Sequence, residues 1–112
     1  MVKTQAEIRE IVTKFVKALG PDIKVNKVIL YGSYACGKAN EWSDIDIAII
    51  SNDLKKLGYN RALKRVVKAH MLSDASLEPQ VYSLNEYIKA SHLTFLGEIK
   101  RTGQVIYEAE SP

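Results

Sequence analysis

Residues 31–50 read YGSYACGKANEWSDIDIAII, and they join two apolar segments through a loop of small and polar residues. The first segment, Val25 to Tyr31, is rich in β-branched and large apolar residues, which predicts a strand. Asp44 to Ile50 has the same character and predicts a second strand. Glycine, serine and asparagine recur between Gly32 and Ser43, which is typical of a loop or a short helical turn.

The second strand places two carboxylates on one face. Asp44 and Asp46 are two residues apart, so their side chains project together, about 6.6 Å apart along the strand. The isoleucines between and after them project to the other face and are expected to be buried. Two neighbouring carboxylates repel each other unless a proton or a cation neutralises them. Carboxylate oxygens suit Mg²⁺ or Mn²⁺, so the alternation predicts a divalent-metal site.

The loop that precedes these carboxylates is suited to an anion. A strand that runs into Gly32 and Ser33 and then into a short helical turn can direct backbone N–H groups at a phosphate. Gly32 lets the backbone approach the phosphate closely, and the Ser33 hydroxyl adds a donor. A phosphate cradle beside a metal-binding carboxylate pair predicts nucleotidyl or phosphoryl transfer.

The rest of the chain predicts helices and two more strands. Apolar residues recur at helical spacing from Thr4 to Leu19, and a second helix is expected from residues 51–53 towards His70. A third helical segment, Asn85 to Arg101, is expected to break near Ser91, with Gly103 as its C′ residue. Short strands are predicted over Glu78 to Ser83, where Pro79 favours an edge or a strand start, and over Val105 to Tyr107. The order predicts an α+β (mixed α/β) fold with a small mixed sheet of three to four strands, for which helices on one face would suffice.

Composition sets the class of protein. The 112 residues are 46% hydrophobic and 26% charged, which excludes a disordered, collagen-like or coiled-coil chain. The single cysteine, Cys36, cannot form an internal disulfide, and no apolar run approaches the roughly 18 residues of a membrane span. We therefore expect one domain over residues 1–112, cytoplasmic, with no signal peptide and no membrane segment.

The motif resembles that of a known family. Gly32-Ser33, ten residues, and then Asp44-Ile45-Asp46 is similar to the signature of the DNA polymerase β-like nucleotidyltransferases, and the longer pattern resembles the minimal nucleotidyltransferases of bacteria and archaea. The resemblance implies a nucleotidyltransferase fold over most of the chain. One position departs from the pattern, because Cys36 stands where the family usually has arginine. Lys38 is a candidate substitute. A nucleophilic role for Cys36 is not expected, since no histidine lies nearby in sequence, and a buried or partly buried structural thiol is the commoner case.

The resemblance also implies roles for further residues. Gly32, Ser33, Lys38 and Ser43 would bind or frame the nucleotide phosphates, with Ser43 orienting the loop before the carboxylates. Asp44 and Asp46 would be catalytic and would bind the metal. The family has a third carboxylate on a later strand, for which Glu78 is the candidate, as metal ligand and general base. An ordinary exposed glutamate at the strand end is the alternative, and Asp74 is the weaker candidate for the third carboxylate.

The function implied is Mg²⁺-dependent transfer of a nucleoside monophosphate, AMP from ATP or another NTP, to a hydroxyl. The acceptor would come from a partner or a second subunit. Minimal nucleotidyltransferases are often encoded beside a HEPN-domain protein and act as its antitoxin, and the resemblance implies that a tyrosine of that partner, the toxin, receives AMP. The alternative is an antitoxin-like binding module that neutralises its partner by occlusion, with weak or lost catalysis. Six basic residues and one acidic residue between Asp53 and His70 predict the solvated face of a helix, or a flank for a polyphosphate, a nucleic acid or an acidic partner. We expect no nucleic-acid partner.

Overall fold

The computed structural model describes residues 2–74 and 76–109 of the chain, and the fold below is that of these residues. Five α-helices lie among them: α1 Gln5–Ala18, α2 Asn52–Lys56, α3 Tyr59–Leu72, α4 Leu84–Lys89 and α5 Phe95–Thr102. Four strands accompany the helices: β1 Lys27–Tyr31, β2 Ile45–Ile50, β3 Leu77–Tyr82 and β4 Gln104–Glu108. A short 3-10 turn, Gly32–Tyr34, follows β1 directly.

The four strands form one mixed sheet in the order β3-β2-β1-β4, which confirms the predicted fold class. β1 pairs antiparallel with β2 and with β4, whereas β2 pairs in parallel with β3. In this register Asp46 lies opposite Tyr31 on one side and opposite Glu78 on the other. β3 is an edge strand, as Pro79 predicted.

Helices cover both faces of the sheet. The larger core packs α1, α2 and α3 against one face, where the isoleucines of β2 at 45, 47 and 49 are fully buried. On the other face, α4 and α5 pack against Ile29, Ala48 and Ile50 in a smaller core. Helices on one face would have left Ala48 and Ile50 in water, so the second layer follows from the apolar residues at the end of β2.

The helix ends follow local sequence signals. Thr4 and Glu7 form a capping box at the start of α1, as the sequence Thr-x-x-Glu favours. The predicted single helix from residues 51–53 to His70 is wrong, because Gly58 adopts a positive φ of 81° and divides it into α2 and α3. The predicted break near Ser91 is confirmed by the separation of α4 from α5. Gly103 was predicted as the C′ residue of this helix, a position that favours a left-handed backbone. The prediction is wrong, because Gly103 is the C-cap of α5 and its backbone is extended.

None of the helices among the described residues combines the length and the apolar composition that a membrane span requires.

Candidate active site

Three carboxylates meet at one end of the sheet, on the face that carries the smaller core. Asp44 lies just before β2, Asp46 is the second residue of β2, and Glu78 is the second residue of β3. Glu78 and Asp46 are register partners in parallel strands, so their side chains project from the same face. The pairing of β2 with β3 thus brings the predicted third carboxylate beside the first two.

The charges of these groups act on one another. Partial burial raises the pKa of Asp46 above its ordinary value, and the negative charges of Asp44 and Glu78 raise it further. Asp46 is half-buried, whereas Asp44 and Glu78 are exposed. The site is therefore anionic and open to solvent, and a cation bound there would relieve the repulsion.

Gly32 brings the 3-10 turn directly against this cluster. Its φ is +73°, in the left-handed region that favours glycine. A Cβ built on Gly32 would overlap the Oδ2 atom of Asp46. The carboxylate therefore occupies the space that any other side chain at position 32 would need, and the turn and the acidic cluster form one unit.

The turn leaves the Ser33 side chain available. The carbonyl of Gly32 accepts from the N–H groups of Ala35 and Cys36 at 3.1 and 3.2 Å, and the Ser33 carbonyl accepts from the Lys38 N–H at 2.9 Å. Within the described residues the Ser33 hydroxyl itself has no hydrogen-bond partner. It can therefore donate to a ligand placed over the turn.

The loop between the turn and β2 is held by its own side chains. The Asn40 N–H donates to Oγ of Ser43 at 2.9 Å, and the Trp42 N–H donates to Oδ1 of Asn40 at 2.8 Å. Ser43 thus ties together the loop that leads into Asp44, and its role toward a nucleotide stays a prediction. Lys38 is exposed on the same loop, and its contact with a nucleotide stays a prediction.

Cys36 differs from the sequence-based expectation. The thiol is exposed, whereas a structural thiol was expected to be buried or partly buried. Its neighbours Tyr34 and Ala35 pack partly against the larger core, whereas Cys36 belongs to neither core and its side chain stays in water. The Cys36 thiol donates to the Ser33 carbonyl at 3.6 Å, which ties it weakly to the turn.

Asp74, the weaker candidate for the third carboxylate, is engaged elsewhere. Burial opposes ionisation of Asp74, but hydrogen bonds from Ser76 and the nearby charges of Lys3 and His70 outweigh it, so its pKa is lowered. Lys3 Nζ lies 4.0 Å from its carboxylate. Glu78, unlike Asp74, contributes to the raised pKa of Asp46, which favours Glu78 as the third acidic group of the site.

Tyr31 belongs to the site in a way that the sequence did not indicate. Its ring packs edge-on against Phe95, with centroids 5.6 Å apart and planes at 84°. Burial and the charges of Asp46, Tyr82 and Glu78 also raise the pKa of the Tyr31 phenol to about 12. Its hydroxyl therefore remains a neutral donor beside the carboxylates. A tyrosine directly before Gly-Ser was the available signal.

The donor set fits a divalent cation that is shared with a substrate. Within the described residues, no three histidine, cysteine, aspartate or glutamate side chains are placed to enclose a metal ion by themselves. Mg²⁺ is usually bound through one or two carboxylates together with substrate phosphates and water, rather than in an all-protein cage. An open cluster of aspartate and glutamate beside the Gly32–Tyr34 turn suits that arrangement, and Asp44, Asp46 and Glu78 are the residues that would hold the ion together with substrate phosphates and water.

Comparison with known proteins points the same way. A family model described as polymerase beta, nucleotidyltransferase matches residues 10–112. A protein of Methanocaldococcus jannaschii that carries the name "Putative protein adenylyltransferase" is 29% identical over 100 residues, covering 87% of this chain and 96% of that protein. A second protein of that organism with the same kind of name is 48% identical over 48 residues, which span 43% of this chain and 48% of its own length.

Solved structures share the fold. One, described as a putative nucleotidyltransferase from Sulfolobus solfataricus, superposes with a TM-score of 0.61 at 17% identity, covering 93% of this chain and 79% of the other. A toxin-antitoxin structure with AMP-PNP gives a TM-score of 0.57 at 19% identity, covering 91% and 74%. The family model spans nearly the whole chain, including the turn and all three carboxylates. The chain therefore belongs to the polymerase β-like nucleotidyltransferase family.

Proposed function

We propose that this protein transfers AMP from ATP to a hydroxyl group of a partner protein, in a reaction that depends on Mg²⁺ or Mn²⁺. The observation that carries the proposal is the pairing of Asp46 with Glu78, with the charges of Asp44 and Glu78 acting on Asp46 and the Asp46 carboxylate against the backbone of Gly32. The proposal places catalysis and metal binding on these three acids, and phosphate binding on the turn.

The residues have separate roles in this proposal. Gly32 gives the phosphates close access to the backbone, and the Ser33 hydroxyl donates to a phosphate oxygen. Lys38 adds a positive charge on the neighbouring loop, and Ser43 keeps that loop in place. A bound divalent cation would neutralise the carboxylates and the phosphates and would lower the pKa of the attacking hydroxyl.

The transfer balances as a substitution at the α-phosphorus. The acceptor oxygen forms a bond to the α-phosphorus, the bond to the bridging oxygen breaks, and pyrophosphate leaves. Glu78, exposed at the edge of the cluster, takes the proton from the acceptor hydroxyl as general base. The raised pKa keeps Tyr31 protonated, so its hydroxyl can donate to a bound substrate.

For the acceptor, we propose a tyrosine of a HEPN-domain toxin, supplied by a partner rather than by a second subunit of this protein. Two observations support a protein acceptor. Relatives carry the name protein adenylyltransferase, and one structural neighbour is a toxin-antitoxin complex with AMP-PNP. The lone cysteine fits a reducing compartment, so we place the reaction in the cytoplasm.

Calorimetry and label transfer test the proposal in two steps. We expect ATP to bind only when Mg²⁺ is present, and the binding to be lost in Asp46→Asn. Glu10→Gln, which removes an exposed carboxylate of α1, is the matched control and should bind like the parent. AMP labelled at the α-phosphate should then appear on the product of the neighbouring gene. Label transfer that survives Asp44→Asn would reject the assigned site.

A second candidate function rests on Cys36. The exposed thiol stands where the family usually has arginine, so nucleotide binding is weakened if that arginine holds the triphosphate. The protein would then act as an antitoxin that covers its partner without modifying it. Cys36→Arg introduces the residue that the family usually has, and its side chain has room in solvent. Nucleotide binding should become tighter in this variant if the absent arginine is what weakens it. Occlusion alone predicts partner neutralisation by Asp46→Asn, and transfer predicts that this variant fails to neutralise.

A further inference from the structure

Helix α3 carries a row of exposed apolar side chains. Tyr59, Leu63, Val67 and Met71 recur every four residues, and their exposed fractions are 75%, 47%, 47% and 81%. We call these four residues the α3 ridge. It extends about 18 Å along the helix. Large apolar side chains exposed in a continuous row indicate a surface that contacts another molecule.

Two shallow grooves run beside the ridge and share Leu63. The first, of about 490 Å³, lies between the start of α3 and the edge strand, where Pro79 and Val81 line it. The second, of about 470 Å³, is lined by Val67, Met71 and Leu72 at the other end of the helix. The two grooves together give the ridge a depression on each side, which a partner's apolar side chains can fill.

The charge around the ridge determines what kind of partner fits. Lys64 and Lys68 line the second groove, and Lys55, which is paired with Glu86 at 3.4 Å, lines the first. Helix α3 has no acidic residue, and its positive charge beside the ridge comes from Arg61, Lys64 and Lys68, since Arg65 is paired with Asp22 at 2.8 Å. A second copy of this chain docked through the same face would bring these positive charges together, which is unfavourable. An acidic partner is favoured for the same reason.

The geometry favours a helix as the partner element. Residues four apart form the ridges by which α-helices pack into each other's grooves. The neighbouring strand β3 is a poor template for an added strand. The carbonyls of Ser76, just before β3, and of Tyr82 accept from the N–H groups of Ile45 and Ser51. Even-numbered residues of β3 therefore bond to the β2 side, and the backbone groups of the odd-numbered residues face the open edge. There Pro79 lacks an N–H, and the Val81 carbonyl already accepts from Lys55 Nζ at 3.5 Å.

We propose that the α3 ridge binds an amphipathic α-helix of a partner protein, with an apolar face that is flanked by aspartate and glutamate. The site lies on the opposite side of the sheet from the three carboxylates, since α3 packs against the larger core. Binding there does not depend on the proposed transfer of AMP, so either proposal can fail without the other.

Two synthetic helical peptides test this surface. Both carry the same leucine face, one flanked by glutamates and the other by lysines. In a titration of the isotope-labelled full chain followed by NMR, we expect the glutamate peptide to shift the resonances of α3 and of residues 79–81. The lysine peptide should bind with an affinity that is lower by about tenfold or more. Equal binding of the two peptides, or no shift at α3, overturns the proposal.

Substitutions on the ridge locate the contact. Val67→Gln and Met71→Gln should each weaken the glutamate peptide about tenfold. Leu93→Gln, which alters an 84% exposed side chain in the turn between α4 and α5, is the matched control and should leave the affinity unchanged. Circular dichroism melts establish that the variants are folded. Self-association of the chain that Val67→Gln abolishes, measured by sedimentation, would identify a second copy as the occupant and overturn the proposal.

Discussion

Gly32 is a residue at which backbone strain and loss of the site can be measured separately. A left-handed backbone costs a residue with a side chain about 1–2 kcal/mol. Gly32→Ala should lose at least this much in free energy of unfolding, and should also displace Asp46 from the turn. Gly37→Ala is the matched control, because Gly37 has φ +76° and no atom within 4 Å of a built Cβ.

We expect both glycine variants to be destabilised in urea unfolding, but only Gly32→Ala to lose Mg²⁺-dependent ATP binding in calorimetry. The physical reason is that the new methyl group at position 32 must push the Asp46 carboxylate out of place. If the two variants bind ATP equally well, the contact between the turn and Asp46 has no part in the site.

The Asp46 carboxyl gives a prediction about pH. Its pKa is raised by burial and by Asp44 and Glu78, so the folded protein holds a proton at pH values where the unfolded chain has released it. The free energy of unfolding therefore falls as pH rises from the ordinary aspartate pKa through the raised one. Asp46→Asn removes this loss. We expect the variant to be more stable than the parent at neutral pH, with the difference shrinking below the ordinary pKa.

Chemical denaturation at a series of pH values measures this difference. Glu10→Gln serves as the control, since this side chain is exposed on α1 and away from the acidic cluster. An Asp46→Asn variant that is less stable than the parent at neutral pH would contradict the repulsion among the three carboxylates. A variant such as Asp46→Asn, which gains stability and loses catalysis, is what we expect where an active site brings like charges together.

At the scale of elements, Gly97 allows α5 to pack closely against the backbone of Ser91. A Cβ on Gly97 would overlap the backbone carbonyl of Ser91, an atom that cannot swing aside. Alanine stabilises an exposed helix by about 1 kcal/mol relative to glycine. Here the overlap should reverse the sign, and Gly97→Ala should lower the free energy of unfolding by about 1–3 kcal/mol. Glu98→Ala, an exposed neighbour in the same helix, should change it by less than about 0.5 kcal/mol.

Urea unfolding of the two variants distinguishes these outcomes, and an unchanged or raised stability of Gly97→Ala would show that the Ser91 backbone yields. The effect should extend to the site, because α5 begins at Phe95, whose ring packs on Tyr31. We therefore expect weaker ATP binding in Gly97→Ala than in Glu98→Ala.

The elements also show which parts of the fold can be predicted from sequence. The strands around the Gly-Ser turn were predicted to within two residues, since their apolar runs are continuous and their ends carry Gly32 and Asp44. The break at Gly58 was missed because the apolar spacing continues through it, and the positive φ of a glycine is not visible in periodicity. Gly103 was assigned for its conformation, whereas its Cβ would meet Ile29 and the Leu30 carbonyl, which is a packing reason.

At the scale of the whole molecule, the site depends on a pairing between strands that are distant in sequence. Asp44 and Asp46 could be placed together from a spacing of two, a local property. Glu78 could not be distinguished from Asp74 in the same way, because the choice depends on the parallel register of β2 with β3 across two intervening helices. Tyr31 was missed as a site residue for a related reason. Its neighbour Asp46 is brought to it by the antiparallel pairing of β1 with β2.

The two cores differ in extent, and this difference predicts how the molecule opens. α1 buries four side chains and begins with a capping box, whereas α4 is six residues long and none of its residues is buried. Local opening requires least free energy where few apolar contacts are lost. In hydrogen exchange followed by mass spectrometry, we expect the amides of α4 and α5 to exchange faster than those of α1, β1 and β2.

Adding ATP with Mg²⁺ should then slow exchange unequally. The carboxylates and Tyr31 lie on the face that α4 and α5 cover, and Phe95 of α5 contacts Tyr31. A ligand held by Asp46 and the Gly32–Tyr34 turn therefore stabilises that layer first, because opening it would disturb the bound state. We expect the largest slowing in the turn, at the start of β3 and in α5, with little change in α1. The same slowing in Asp46→Asn would show that Asp46 does not hold the nucleotide. A change confined to α1 and α3 would place the nucleotide on the other face of the sheet.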